Sequence, residues 1–165
     1  MSYLPFENIT YKTKLNSEEI LRRMSKIIEP KQAFRVTWFF KNNNYKPYEG
    51  NINSNSFSIS RIIGYRNSFV PTIKGVIEKD SNGTIINIKM RLHALVIAVL
   101  FVWFGGMIIN CLIAIPSIYN NQDFKPMSLI HFGLLIFGYV LVTSGFKYES
   151  RKSKKHFTGL FEAEN

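Results

Sequence analysis

Residues 88–106 read "IKMRLHALVIAVLFVWFGG", and the reading of the whole chain turns on them. Up to Leu92 the stretch alternates: Ile86, Ile88, Met90 and Leu92 are apolar, while Asn87, Lys89 and Arg91 between them are polar, the period of a half-buried strand. From Ala94 the alternation stops, and no Lys, Arg, Asp or Glu occurs through Ile115. A strand therefore feeds straight into an apolar run. A second uncharged run covers 127–146. About 20 apolar residues at about 1.5 Å each cross a hydrocarbon core of about 30 Å. Both runs reach that length, and the rest of a 165-residue chain is too small to bury two helices that are apolar all round. The expectation is a transmembrane helical hairpin over 93–146 with a short outside loop, 116–126, between a domain over 1–92 and a basic cytoplasmic tail over 147–165.

Charge sets the expected orientation. Lys79, Lys89 and Arg91 precede the first span, and Lys147, Arg151, Lys152, Lys154 and Lys155 follow the second, while the loop has only Lys125. Basic residues near span ends stay on the cytoplasmic side, so both termini are expected inside, as in a multi-pass protein of the bacterial inner membrane. Residues 1–93 hold 15 Lys and Arg against 7 Asp and Glu, most of the net charge of +10. Attraction to the anionic cytoplasmic leaflet accounts for that excess, and nucleic acid is not an expected partner. The opening dozen residues lack a basic segment followed by an apolar core, so the first span is expected to act as its own insertion signal. Cys111, the only cysteine, lies in that span and excludes an intramolecular disulfide.

Within 1–92 the elements follow a clear order. "NITYKTKL" (8–15) has strand period. Asn16 then offers an N-cap with Glu19 three residues on, a capping box, and Ile20, Leu21, Met24, Ile27 and Ile28 form one helical stripe that Pro30 ends. "AFRVTWFFK" (33–41), "YKPYEGNIN" (45–53), "SFSISRIIGYR" (56–66), "SFVPTIKGVIEK" (68–79) and "TIINIKMRLH" (84–93) read as strands separated by turn signals. Pro71 and Gly75 suggest an edge or a bulge, and Asn82-Gly83 a type I′ or bulged turn. The expected fold class is α+β: one amphipathic helix on a curled antiparallel sheet, followed by the transmembrane hairpin. Residues 149–165 are expected to form a polar, frayed terminus, the alternative being a basic segment at the lipid headgroups with Phe157, Leu160 and Phe161 touching the interface.

Catalytic motifs are sparse. The glycines are scattered and build no phosphate loop, no G-x-S-x-G occurs, and His93 and His131 fall near opposite faces of the bilayer. No metal, no cofactor and no catalytic residue is expected. The densest polar cluster is Arg61, Tyr65, Arg66, Asn67 and Ser68, with Arg91 and His93 at the seam of strand and span. Arg61, Arg66, Asn67, Arg91 and His93 are the candidate ligands for a headgroup or another anion, since arginines grip phosphate and carboxylate through charge-assisted hydrogen bonds. Inside the spans the Asn110 amide needs a partner: Thr143, Ser144, a backbone carbonyl or a second copy of the chain are open to it, and depth in the bilayer favours His131 or the second copy.

"SFSISRIIGYRNSFVPTIKG", followed by "IKMRLH" just before an apolar helix, resembles a group of small two-span bacterial membrane proteins. The resemblance covers residues 48–105, and its most specific words are RNSF-x-P-x-I-x-G and M-R-x-H. It implies that Arg66, Asn67, Pro71, Gly75, Arg91 and His93 belong to one architecture, and it implies no reaction. Together these readings favour a membrane protein, non-enzymatic, whose cytoplasmic module binds or senses a lipid headgroup, small ligand or protein. A membrane-disrupting effector that multimerises on a signal and a small interfacial enzyme are the alternatives. The expected partners are the lipid bilayer, an anionic lipid or protein, and further copies of the chain.

Overall fold

The structure is a computed structural model, and it describes residues 4–31, 46–119 and 128–163. Strand β1 (Phe6–Thr13) leads into helix α1 (Ser17–Ile27) and the two-residue β2 (Ile28–Glu29). Then come β3 (Tyr48–Ile52), β4 (Ser56–Arg61), β5 (Thr72–Asp80) and β6 (Gly83–Arg91), followed by the long helices α2 (Ala94–Tyr119) and α3 (Ser128–Phe161). The fold is α+β. Its six strands form one sheet in the order β1-β6-β5-β4-β3-β2. All neighbours are antiparallel except β2, which runs parallel to β3 and makes the sheet mixed. The strand expected over 33–41 lies outside the described residues.

Alternation sorts the sheet into two faces. Tyr11, Ile86 and Ile77 pair across β1, β6 and β5 and point inward, as do Met90, Ile73 and Ile59 across β6, β5 and β4. Asn16 caps α1, its side-chain oxygen accepting from Glu19 N at 2.7 Å. Only that half of the expected capping box forms, because the Glu19 carboxylate turns to Arg22 and Arg23. Ile20 and Met24 of α1 are fully buried against the inner face.

Two turn and strand expectations need correction. Gly75 lies in β5, an interior strand, and not at an edge; a Cβ there would fall 2.1 Å from the Phe57 ring, which lies across the backbone of its cross-strand partner. Gly75→Val is therefore expected to force Phe57 out of its buried site and to cost about 1–3 kcal/mol by overpacking, read as a lower unfolding midpoint; unchanged stability would refute this packing. In the β5–β6 hairpin the loop is Ser81-Asn82, since Asp80 pairs with Gly83. Asn82 keeps a negative φ, so the turn is not type I′, and Gly83 alone takes a positive value, 148°. Gly83 is also where the end of β1 closes in, a Cβ there meeting Thr13 O at 2.1 Å.

The largest departure is α3. The expected frayed tail is instead the last part of one unbroken 34-residue helix, about 50 Å long at 1.5 Å per residue. Val142, Phe146, Glu149, Ser150, Ser153, Phe157 and Phe161 are all buried and share one stripe at helical spacing. Near its start the stripe meets α2, where the Trp103 ring lies over Gly138. Beyond Phe146 it meets the inner face of the sheet and closes the core together with α1. The helix ends in a formed cap, with Glu162 left-handed at φ 49° and Ala163 N donating to Thr158 O at 3.2 Å. The charges of "ESRKSKK" fall mostly on its other faces and mask this stripe in the sequence. Both α2 and α3 are long and apolar enough to cross a membrane, and only 6% and 11% of their most apolar stretches are buried within the chain.

Candidate functional site

Two carboxylates hold α3 to the sheet. Glu7, on the inner face of β1, accepts hydrogen bonds from Lys147 Nζ at 2.7 Å, Lys154 Nζ at 2.8 Å and Ser150 Oγ at 2.9 Å. Glu149, wholly buried, accepts from Arg61 Nη1 at 2.7 Å and from the Tyr65 hydroxyl. Asn67 completes the attachment: its amide nitrogen donates to Gly145 O at 3.2 Å and its oxygen accepts from Phe69 N at 2.9 Å. Farther along α3, His156 Nδ1 lies 3.2 Å from the Tyr48 hydroxyl and its ring stacks on Tyr48.

The clamp is acid-sensitive by construction. Burial pushes the Glu7 carboxyl up, but the hydrogen bonds from Lys147, Lys154 and Ser150 outweigh it and hold the pKa at about 2, against 4.5 for a free glutamate. Burial, with Arg61 nearby, pushes His156 below 6.5. In both cases the undocked chain binds more protons than the docked one, so docking strengthens as pH rises. The His156 contribution is lost as pH falls below 6.5, and that of Glu7 as it falls from 4.5 toward about 2. Amide exchange over 147–161 is expected to quicken in those two windows ahead of β5 and β6; pH-independent protection would contradict the assignment.

The opposite face of the sheet is open and polar, and at its α2 end it forms a groove of about 640 Å³. Two cross-strand rows floor the groove. One runs Asn51, Ser58, Lys74, Lys89 across β3 to β6, and the next runs Glu49, Ser60, Thr72, Arg91. His93 and the first turn of α2, at Ala94 and Ile97, wall one end, and Lys31 also contributes. Among the described residues the lining has four Lys and Arg and one carboxylate, Glu49. The volume is that of a pocket for a small molecule or headgroup.

The candidate residues thus divide among different tasks. Arg61 and Asn67 face α3 and are engaged there. Arg66 is exposed in the segment between β4 and β5 and does not line the groove. Arg91 and His93 do line it. His93 also caps α2, its Nδ1 accepting from Leu95 N at 3.3 Å and its carbonyl from Ile97 N at 3.1 Å. Asn110 donates to Gly106 O of its own helix at 2.8 Å and is not bonded to His131, whose Nδ1 is buried with no partner among the described residues. Sequence reading missed Lys74, Lys89 and Thr72, although alternation along β5 and β6 places them on one face with Arg91. Glu7 and Glu149 had no such signal, since their partners are 140 and 88 residues away.

In comparisons with known proteins the chain matches no protein-family model, no curated protein and no solved structure.

Proposed function

We propose that this chain is an integral protein of the bacterial inner membrane, with both termini cytoplasmic, in which an α+β module binds or senses a ligand at the bilayer surface. The observation that carries the reading is α3, a single helix whose apolar first part suits hydrocarbon and whose last part completes the core of the module. Supporting it, large side chains along both long helices are bare: on α2 Phe101 is 80% exposed and Val102 75%, and on α3 Ile136 is 67% exposed. An apolar surface of that extent does not persist in water and calls for lipid or another chain as cover. Because Glu7, Glu149 and the aromatic stripe fix α3 to the sheet, α3 cannot shift in the bilayer without moving the module or breaking those contacts. That coupling suits a sensor.

Topology and partition test the proposal. The chain is expected to stay with membranes through alkaline carbonate extraction. In a Cys111→Ala background, Lys125→Cys is expected to react with an impermeant maleimide in intact cells, and Lys12→Cys only after permeabilisation. Labelling of Lys12→Cys in intact cells, or recovery of the chain in a detergent-free supernatant, would overturn it.

A further inference from the structure

The cations of the α3 clamp are matched to carboxylates, whereas among the described residues those of the groove are not. Lys147, Lys154 and Arg61 each have an acidic partner within 2.8 Å. Lys74, Lys89 and Arg91 have none among the described residues, and the strand register sets Lys74 directly opposite Lys89, with Arg91 two positions along β6. Like charges directly opposed across strands repel, so an unliganded sheet has nothing to gain from this arrangement. An anion among them removes the repulsion. Thr72, opposite Arg91, and Ser58, opposite Lys74, add hydroxyl donors beside the three cations.

We propose that this groove binds a phosphate-bearing anion, with Lys74, Lys89 and Arg91 as its ligands. The guanidinium takes two phosphate oxygens at once and the ammonium groups act as point charges, a division that suits phosphate better than a single carboxylate. Phosphate chemistry fits both a lipid headgroup and a free phosphate compound. The first source rests on the bilayer reading above: Arg91 is three residues from the start of α2, at headgroup depth, and Ala94 and Ile97 offer an apolar wall for the adjoining acyl chain.

The test uses the full chain in nanodiscs of neutral phosphatidylcholine doped with a few percent of phosphatidylglycerol, with bound lipid counted by native mass spectrometry. Lys74→Gln/Lys89→Gln/Arg91→Gln is compared with Lys12→Gln/Lys26→Gln/Lys79→Gln, which removes equal charge away from the groove. Each basic residue near an anionic surface contributes a factor of about five, so the groove variant is expected to lose phosphatidylglycerol retention by about tenfold or more and the control by about twofold or less. All six side chains are exposed, so both variants are expected to fold, which far-UV circular dichroism checks. Equal losses in the two variants would overturn the proposal, as diffuse charge would then explain retention. Inorganic phosphate, titrated against the chain in detergent, separates the sources: displacement of the lipid assigns a free phosphate compound, and retention assigns the headgroup. Binding of neither probe overturns the site. Failure of the chain to enter nanodiscs would remove the bilayer reading alone, since the detergent titration still reads the groove.

Discussion

Arg61→Ala is expected to release the second half of α3 from the sheet. The substitution leaves the Glu149 carboxylate, 0% exposed, without its cationic partner and, among the described residues, with only the Tyr65 hydroxyl as a donor. Breaking a buried ion pair from one side costs about 3–5 kcal/mol, and the lower end applies because a quarter of Arg61 is exposed. The loss appears as amide exchange over 146–161 faster by about two orders of magnitude, with the apolar part of α3 unchanged. Arg61→Ala/Glu149→Leu is expected to recover much of the protection, because it leaves no buried charge unpaired. If the double variant is no better than the single, the damage comes from lost packing around the Arg61 stem, and the clamp is not electrostatic.

Phe157→Ala is expected to cost more than any other single truncation in the module. Its ring is fully buried, stacked on Tyr48 at 5.4 Å and on Phe161 at 5.6 Å, and tilted toward Phe57 at 6.5 Å. Removing it opens a cavity where α3 meets β3 and β4, for which about 3–5 kcal/mol is the usual cost. Protease cleavage between 147 and 161 is the direct readout, and it should rise sharply while α2 and the part of α3 before Phe146 stay resistant. Phe137→Ala, on the same helix but 62% exposed, removes as large a ring and should leave the cleavage pattern unchanged. Equal sensitivity of the two variants would mean that α3 is not docked as described.

The two expectations separate the helix into parts with different solvents. Phe137 faces outward and its cover is hydrocarbon in the proposed function, while Phe157 faces the sheet. One helix carries both, and the boundary lies near Phe146, where the buried stripe passes from α2 to the module. The groove lies on the opposite face of the same sheet, so occupancy there and the pose of α3 act on shared strands, with Arg61 and Ser60 adjacent on β4.

Much of the fold was readable from local pattern. Period-two alternation marked β1 and β3–β6, and the Asn16 cap with its apolar stripe marked α1, because strand and helix periodicities are properties of a dozen neighbouring residues. The long uncharged runs of α2 and α3 were visible for the same reason. The same alternation puts Lys74 and Lys89 on one face with Arg91, and with His93 these residues line the groove. Local pattern misled where a distant ring or charge decided the outcome. Gly75 looks like a strand weakness until Phe57 is seen lying over it. Arg61 looks like a free anion ligand until Glu149 is brought 2.7 Å away.

By itself, the chain of amino acids determined the α+β class, the two long apolar helices and the abrupt junction at Leu92, since each follows from the order of polar and apolar residues along a short stretch. Only the tertiary structure decided that one stripe of residues 147–161 belongs to the core. Phe146, Phe157 and Phe161 are too few among lysines to announce a buried face, and they become one when β1, β4 and β6 supply Glu7, Arg61 and an apolar floor. Burial is a property of what packs opposite, and for α3 the opposite surface is encoded some 60 to 140 residues earlier.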